Sequence, residues 1–173
     1  PCETHWMTSV TMTPEDLVEI EKIRQLKARY FLLMDQKRWD EWADVFCEDV
    51  TIDTSEEGTP IIHGRQAFRE FLPPILEGVR TCHQGHTPII TITGPNTAEG
   101  IWAMEDMLWW PKGSPFEHLW GLGWYDEKYR KDPDGEWRIL HLILRRIRVE
   151  MDGVEAGAGD RPASGDRTNQ PDQ

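Results

Sequence analysis

Asp35 and His83 are the first two candidates in this sequence for acid–base chemistry. Asp35 follows Phe31 by four residues, at the edge of an apolar stripe and near the end of a predicted helix. The helix macrodipole is negative there and the neighbouring wall is apolar, so we expect both to disfavour ionisation of this carboxyl. The more frequent role of a helix-terminal acid is to face water or to pair with a neighbour such as Lys37 or Arg38.

His83 lies in a segment, residues 81–86, with the alternation of a strand. In a regular strand, residues 81, 83 and 85 share one face, while Cys82, Gln84 and His86 share the other. His83 and His86 are therefore not expected to act together. No other Cys, His or carboxylate cluster has ligand spacing nearby, so the pattern argues against a metal site. A hydrogen-bonded histidine in a half-buried strand remains the alternative for each.

Arg145, Arg146 and Arg148 alternate with apolar residues near the end of the last predicted strand. Arg146 has the parity of Leu142 and Leu144, so it could reach from the same face into the interior. A buried guanidinium needs a carboxylate or a ligand oxygen as its partner. Exposed strand arginines that protect a sheet edge are the more common alternative.

Aromatic and apolar residues occupy both faces of the strand predicted over residues 97–110, with one acid on each face. Both faces are therefore expected to be covered, by an enclosed pocket, by a partner chain, or by both. The next strand extends the aromatic surface. Plain core and subunit interface are the alternative for most of these side chains. The candidates for lining a pocket are Met34, Trp102, Met104, Asp106, Trp120 and Trp124.

The first element that must position these residues is a long helix. Thr13 can cap it, Pro14 suits its first position, and apolar residues then recur every three or four residues to about residue 36. A shorter helix is predicted over about 39–46, a strand over 50–54, and a helix over 65–72 that is stopped by Pro73 and Pro74.

Four further strands are predicted over residues 81–93, 97–110, 117–131 and 136–151, and short turns separate them. Short turns make neighbouring strands antiparallel, so the pattern predicts an α+β domain over residues 13–151, with helices on one face of a curved sheet. Residues 152–173 are expected to form a disordered acidic tail. Residues 1–12 are expected to be a flexible N-terminus or a remnant of expression.

The composition excludes several classes of partner. Nineteen Lys and Arg stand against thirty-one Asp and Glu, a formal charge of −12 that would repel nucleic acid or an anionic membrane surface. No signal peptide or long apolar segment is apparent, and three unrelated cysteines indicate a reducing compartment, so a cytoplasmic location is expected. No phosphate-binding glycine loop is present, and Gly121 and Gly123 more simply mark close packing or a bend. No cofactor is expected.

Several segments together resemble the SnoaL-like group of the nuclear transport factor 2-like superfamily, over about residues 15–150. Within that group the similarity is greatest to dehydratase-type lyases, including the bile acid and scytalone dehydratases. The residues that carry the resemblance are Ile23 to Phe31, Asp35, Trp39-Asp40, Gly64-Arg65, His83 to Pro88, Trp102 to Asp106 and Asp134 to Ile139.

The resemblance implies a cone-shaped α+β barrel around an apolar pocket, commonly assembled as a dimer or trimer. It also implies that Asp35 orients and charges His83, which removes a proton from the substrate before a hydroxyl or halide leaves. Tyr30 matches a tyrosine that holds or polarises the substrate, and Arg146 matches an arginine of the last strand. Either could stabilise a developing negative charge on oxygen.

We therefore expect a cofactor-independent lyase acting on a hydrophobic polycyclic or aromatic substrate such as a steroid, bile acid or polyketide. A homodimer or homotrimer is expected, with no nucleic acid or membrane partner. A polyketide cyclase or a ketosteroid-type isomerase would use the same base differently. A non-catalytic ligand-binding or dimerisation module is a further alternative, although such a module has no need of the Asp35–His83 pair.

Overall fold

The computed structural model describes residues 12–155, in which three helices lie against a curved sheet of seven strands. The helices are α1 (Pro14–Asp35), α2 (Trp39–Ala43) and α3 (Arg65–Ile75). The strands are β1 (Phe46–Asp53), β2 (Ile62–His63), β3 (Arg80–Gly94), β4 (Thr97–Trp109), β5 (His118–Lys131), β6 (Trp137–Met151) and β7 (Val154–Glu155). This is the predicted α+β architecture. No helix within residues 12–155 is both long enough and apolar enough to cross a membrane.

Helix α1 begins as the sequence predicts. Thr13 and Asp16 form a reciprocal capping box, and Pro14 occupies the first turn. The helix ends at Asp35, and Lys37 just beyond it adopts a positive φ of 59°, which is uncommon for a residue with a side chain. That turn directs the chain into α2 and leaves the Asp35 side chain at the end of the helix, beside the sheet.

The sheet is mixed and does not close into a barrel. Its order is β2-β1-β6-β5-β4-β3, with β7 paired to β6, and β1 runs parallel to β6. The curved α+β cone expected from the sequence is present, and the parallel pairing of β1 with β6 corrects the expectation of a wholly antiparallel sheet. The parallel pairing also explains why β1 begins at Phe46 and α2 ends at Ala43, since Phe46 pairs with Ile139 rather than continuing the helix.

The four-strand meander from β3 to β6 agrees with its predicted bounds to within two residues. The predicted disordered tail is wrong in its first residues, because Val154 and Glu155 form β7 and pair with the end of β6. The remainder of that tail, residues 156–173, lies outside the described residues, as do residues 1–11 of the predicted N-terminal segment.

Helix α3 continues through Pro73 and Pro74 to Ile75, beyond its predicted end. Proline removes one backbone donor and disfavours the helical conformation before it, which is why residue 72 was the expected boundary. Both prolines lie in the last turn, so the helix loses only the two N–H donors that they lack and ends before a further turn is affected. The N–H of Leu76 closes that turn by donating to the carbonyls of Leu72 and Pro73.

The two faces of the sheet have different surroundings. The inner face packs on α1, where the alternate β5 residues Leu119, Tyr125 and Tyr129 are buried. The opposite, outer face carries the intervening residues of the same strand, including Trp124, which is 38% exposed. Within residues 12–155 only the inner face is covered, and the expected cover of the outer face by a partner chain stays a prediction.

Glu19 joins α1 to the sheet through side-chain contacts, and its substitution tests this packing. Its carboxylate accepts hydrogen bonds from Trp137 Nε1 (2.6 Å) and Lys22 Nζ (2.9 Å) and lies 2.6 Å from Lys131 Nζ. The Lys131 bond outweighs the opposing effect of burial and, with the other two, lowers the pKa of Glu19 to about 2. This folded-state pKa lies below that of an unfolded glutamate. The Glu19 carboxylate therefore makes its full contribution to the free energy of unfolding above about pH 4.5, and that contribution declines as the pH falls toward 2.

We expect Glu19→Gln to lower the free energy of unfolding by about 1 to 2 kcal/mol at pH 7, measured by urea denaturation. The difference in free energy of unfolding between the wild-type protein and Glu19→Gln should be smaller at about pH 3. Glu41→Gln is the control, since Glu41 pairs with Arg38 on the exposed surface of α2 and should cost less than about 0.5 kcal/mol. Equal losses in the two variants would contradict the role given to Glu19.

Candidate functional site

The end of α1 brings Asp35 against His83 of β3. Asp35 Oδ1 lies 2.7 Å from His83 Nδ1, and Asp35 Oδ2 accepts the backbone N–H of His83 at 2.9 Å. An ionised carboxylate can only accept, so the neutral imidazole carries its proton on Nδ1. Nε2 is then the ring nitrogen able to take a proton from a substrate. The juxtaposition that the sequence predicted for these two residues is present.

Thr81 and Lys37 complete the surroundings of the carboxylate. Lys37 Nζ donates to Thr81 Oγ1 (2.8 Å), and Thr81 Oγ1 donates to Asp35 Oδ1 (2.8 Å). An ammonium has no acceptor, so the hydroxyl of Thr81 must accept from Lys37 and its own proton is directed to Asp35. The alternative partner considered for Asp35, Lys37, is thus present but acts through Thr81.

The pKa of Asp35 is lowered in the folded protein, whereas the sequence led us to expect disfavoured ionisation. Burial does raise the pKa of this carboxyl, as the position predicted. The hydrogen bonds from the ring and backbone of His83 and from Thr81 together outweigh that effect. These donors come from β3 and were not visible in the local sequence of α1. The carboxylate therefore remains charged and able to stabilise a protonated imidazole.

An open groove of about 550 Å³ runs along one side of α1 and reaches both members of the pair. Its middle is apolar, with Ala28 and Leu32 on the helix and the rings of Phe31 and Trp102 beneath. The remaining lining residues are Glu21, Arg24, Gln25, Asp35, His83, Gln84, Gly85 and His86. A second depression, of about 530 Å³, is lined by Leu17, Val18 and Trp137 and contains neither Asp35 nor His83. The first groove is therefore the candidate site.

A row of polar residues crosses the inner face of the sheet from His83. His83 pairs directly with Asp106 of β4, and Asp106 pairs with Gly121 of β5. Arg146 of β6 reaches over Gly121 to form two bonds with Asp106, at 2.9 and 2.7 Å. Both side chains are only 4% exposed. Arg146 is thus the buried member of the arginine cluster, and Arg145 and Arg148 are far more exposed.

Gly121 makes this row possible. A Cβ at this position would lie 2.2 Å from Asp106 Oδ1 and 2.4 Å from an Arg146 nitrogen, so any side chain would displace the ion pair. This confirms the interpretation of Gly121 as a site of close packing. A Cβ at Gly123 would likewise lie 2.0 Å from the backbone oxygen of Arg145, at a register shift between β5 and β6.

The guanidinium of Arg146 is already engaged. Besides Asp106 it donates to Glu57, and one of its nitrogens lies 3.5 Å from the sulfur of Met104. Although burial alone would lower it, the charges of Glu57 and Asp106 hold the pKa of Arg146 above its ordinary value. A substrate could use this guanidinium only by sharing it with these partners.

Tyr30 and Met34 lie in the core rather than along the groove. Tyr30 packs among Phe31, Trp42, Phe46 and Tyr125. Burial raises the pKa of its phenol, which makes a hydrogen bond with Tyr125 and stays protonated. Met34 and Met104 are also buried core residues. Of the predicted pocket residues, Trp102 is the one that lines the groove beside His83.

The structure does not bring Trp120 and Trp124 to this groove. Both lie on the outer face of β5, where Trp120 Nε1 donates to Glu105 of β4 at 2.6 Å. The sequence could not separate the faces, because both carry large apolar residues at alternate positions. A pocket role for these two tryptophans is not retained.

Three contributors to the site were not singled out from the sequence: Thr81, Phe31 and Gly85. Each had a signal. Thr81 and Gly85 have the strand parity of His83, and Phe31 stands one helical turn before Asp35. A Cβ at Gly85 would lie 2.6 Å from the Phe31 ring and 3.3 Å from the Trp102 ring, so this glycine lets both rings lie against β3.

Metal ligation has no visible basis in the described part of the chain. Across residues 12–155, no three His, Cys, Asp or Glu side chains are grouped so that they could hold a metal ion. His86 is paired instead with Glu105, whose carboxylate lies 3.9 Å from its Nε2.

Comparison with protein families gives a match to the model of the SnoaL-like domain, over residues 15–143. Residues 15–143 include nearly all of α1 and most of the sheet. This match confirms the resemblance to the SnoaL-like group that the sequence indicated.

Three of the similar solved structures illustrate the range of relatives. A variant of Rv3472, a protein of unknown function from Mycobacterium tuberculosis, is 29% identical with a TM-score of 0.65, covering 80% of this chain and 78% of that one. A candidate scytalone dehydratase from Novosphingobium aromaticivorans is 23% identical with a TM-score of 0.71, covering 80% and 91%. A type 2 hexachlorocyclohexane dehydrochlorinase is 16% identical with a TM-score of 0.69, covering 78% and 89%. The last two show likeness of fold alone.

Proposed function

Because the chain belongs to the SnoaL-like domain family and carries a hydrogen-bonded Asp35–His83 pair in an apolar groove, we propose that it is a cofactor-independent lyase. The observation that carries this proposal is the 2.7 Å contact between the Asp35 carboxylate and His83 Nδ1, which frees Nε2 to act as a base. The fold is shared with relatives named as a dehydratase and a dehydrochlorinase, both of which are names for eliminations.

In the proposed reaction, His83 Nε2 takes a proton from a carbon next to a carbonyl or similar electron sink. The electron pair of the broken C–H bond forms the new double bond as the C–O bond to the leaving group breaks. The departing hydroxide takes the proton back from the imidazolium and leaves as water, so the residues end as they began. Asp35 stabilises the imidazolium throughout, because its carboxylate stays ionised.

The proposed substrate is a hydrophobic molecule with fused or aromatic rings, such as a steroid, bile acid or polyketide. Ala28, Leu32, Phe31 and Trp102 offer such rings an apolar surface next to His83. We retain Arg146 and Tyr30 as candidate donors to the substrate oxygen. Arg146 is supported by its ion pair with Asp106, the residue that lies opposite His83 in the β3–β4 register. Tyr30 is retained on the family resemblance alone, because its phenol is buried in the core and does not line the groove.

The test is a thermal-shift screen with steroids, bile acids and aromatic polyketides, followed by incubation of each binder in D₂O. A ligand of the native state raises the melting temperature. Loss of one water from a binder would support the proposed dehydratase. Rearrangement without loss of mass would instead indicate an isomerase or cyclase. Binding with neither product formation nor deuterium incorporation would contradict catalysis and favour the binding module.

We also propose that the outer face of the sheet joins two or three copies of the chain. This face combines the half-exposed Trp124 with Leu122 and with charges of both signs, Asp126 and Lys128 among them. A surface with apolar residues and both charges can complement a second copy of itself.

We expect the wild-type protein to sediment as a dimer or trimer at micromolar concentration, and Trp124→Glu to sediment as a monomer, because the substitution replaces an apolar ring at the interface with a charged side chain that must lose water. Analytical ultracentrifugation measures both. Val18→Glu replaces an equally prominent apolar residue on α1 and should leave the assembly intact. A monomeric wild-type protein would contradict this proposal.

A further inference from the structure

A chain of buried polar side chains lies beneath α1, apart from the Asp35–His83 pair. Lys27 and Glu127 are both fully buried, and Lys27 Nζ lies 2.5 Å from Glu127 Oε1. The hydroxyl of Tyr129 donates to the other oxygen of Glu127. Trp102 Nε1 then donates to the hydroxyl of Tyr129 at 2.7 Å. The chain therefore runs from an ion pair in the core to the indole that lines the groove.

Each member of this chain is held by its neighbours. The ammonium of Lys27 lies 4.0 Å from the ring centre of Tyr30 and 3.7 Å from that of Tyr125, so aromatic faces surround its remaining N–H groups. Burial lowers the pKa of Lys27 to about 8, and the Glu127 charge opposes that shift. The Tyr129 hydroxyl uses its proton for Glu127 and accepts from Trp102, so it has one orientation available.

Stability alone is a weak explanation for such an arrangement. Removing two charges from water costs more than their attraction commonly returns, and apolar residues of similar volume usually serve a core as well or better. A hydrogen-bonded chain does supply a fixed geometry. The rotation of an aromatic side chain about its second torsion is otherwise broad, and the indole N–H lies in the plane of the ring. Its bond to Tyr129 therefore fixes that plane.

The plane of Trp102 matters at the groove. Trp102 and Phe31 lie against Gly85, which is two residues from His83 on the same face of β3. The Phe31 ring also contacts the buried ion pair, with its centre 4.8 Å from Lys27 Nζ. The two rings that form the apolar floor beside the base thus both rest on the Lys27–Glu127 chain.

We propose that Lys27, Glu127 and Tyr129 are positioning residues that fix the Trp102 indole, and that this indole makes the groove selective for flat ring systems. The proposal rests on the proposed function of the groove as the substrate site and narrows its substrate class, because it favours aromatic polyketides above the puckered rings of steroids and bile acids. Trp102 and Phe31 are 5% and 8% exposed, so each offers the groove a small part of its ring. A flat ring can lie closely against such a fixed surface, whereas a puckered ring of the same carbon skeleton leaves gaps.

The test uses two probes that need no turnover, 2-naphthol and decahydro-2-naphthol, with binding measured by calorimetry. Wild-type protein should bind the flat probe more tightly. Tyr129→Phe removes the hydroxyl and keeps the ring. It should weaken the binding of 2-naphthol about five- to tenfold and change the binding of decahydro-2-naphthol less than about twofold. The Trp102→Phe variant should likewise lose the preference for 2-naphthol over decahydro-2-naphthol. The double variant should be no weaker than Trp102→Phe alone, because both changes act through one contact.

Tyr125→Phe is the matched control. Tyr125 is also buried and lies on the same face of β5 as Tyr129, but its hydroxyl bonds to Tyr30 rather than to Trp102. It should lower stability without changing the preference between probes. As a second measurement, the indole N–H signal of Trp102, assigned by its absence in Trp102→Phe, should exchange with solvent at least about tenfold faster in Tyr129→Phe.

Equal weakening of both probes in Tyr129→Phe, additive losses in the double variant, or the same change in Tyr125→Phe would overturn the proposal. A wild-type protein without preference for 2-naphthol would overturn it as well. A protein that prefers the flat probe through Tyr129 but transforms no ring substrate would contradict the proposed lyase and still support this assignment.

Discussion

His83→Ala and Asp35→Asn are each expected to reduce turnover by about 10²- to 10⁴-fold, the range that a positioned base contributes. His83→Ala removes the only proton acceptor that the pair presents to the groove. In Asp35→Asn, the amide must place an NH₂ group where one carboxylate oxygen stood. That group would face either the backbone N–H of His83 or the donors from Thr81 and His83 Nδ1. In the first orientation the imidazole loses its charge partner and the backbone N–H loses its acceptor. In the second orientation the imidazole also loses the acceptor that fixes its tautomer.

These losses should appear in kcat/KM on a substrate found by the screen, with circular dichroism and melting curves to show that each variant is folded. His63→Ala is the control, because His63 lies on β2 and contacts Thr51 away from the groove. It should retain activity within about twofold. Wild-type turnover by a folded His83→Ala or Asp35→Asn protein would contradict the acid–base pair.

Arg146→Met is expected to lower the free energy of unfolding by about 3 to 5 kcal/mol. The substitution keeps much of the side-chain volume but leaves the Asp106 carboxylate buried beside Gly121 with no cation. Desolvation of an unpaired charge is among the largest costs that a single substitution can impose. Urea denaturation at neutral pH measures the loss.

Arg148→Met is the matched control, since Arg148 pairs with Glu150 at the surface and should cost less than about 1 kcal/mol. Asp106→Leu/Arg146→Met removes both buried charges and should recover most of the stability. If Arg146 also acts on the substrate, this double variant will be stable but slow. An Arg146→Met protein no less stable than Arg148→Met would show that the buried pair is dispensable.

The parts of the fold that follow from local periodicity were predictable from the sequence. The apolar stripe and capping residues of α1, and the turns of the β3 to β6 meander, each depend on neighbours within a few residues. The parallel pairing of β1 with β6 joins segments far apart in the chain, and no local pattern encodes it. The end of α3 was also beyond a local pattern. Proline is tolerated in the last turn of a helix, and the sequence alone does not show which turn is the last.

In the candidate site, too, local sequence predicts some features and tertiary contacts decide the others. Helical spacing and strand parity placed Asp35 and His83 on suitable faces, but family resemblance was needed to bring them together. The direction of the Asp35 pKa was wrong because its hydrogen-bond donors come from another element. Lys27 and Glu127 each interrupt an apolar row, at Ile23 to Phe31 and at Tyr125 to Tyr129. Two opposite charges in buried rows suggest a pair, yet only tertiary structure shows that they meet.

The position of β3 at the end of the sheet gives Asp35 a role in solubility as well as in chemistry. An edge strand exposes backbone N–H groups that invite another strand to add, and this is a common route to aggregation. At His83 the outward N–H is taken by the Asp35 carboxylate, in the place where a neighbouring strand would offer its carbonyl. The acid that we propose prepares the imidazole for proton transfer therefore also blocks the sheet from extending at that point.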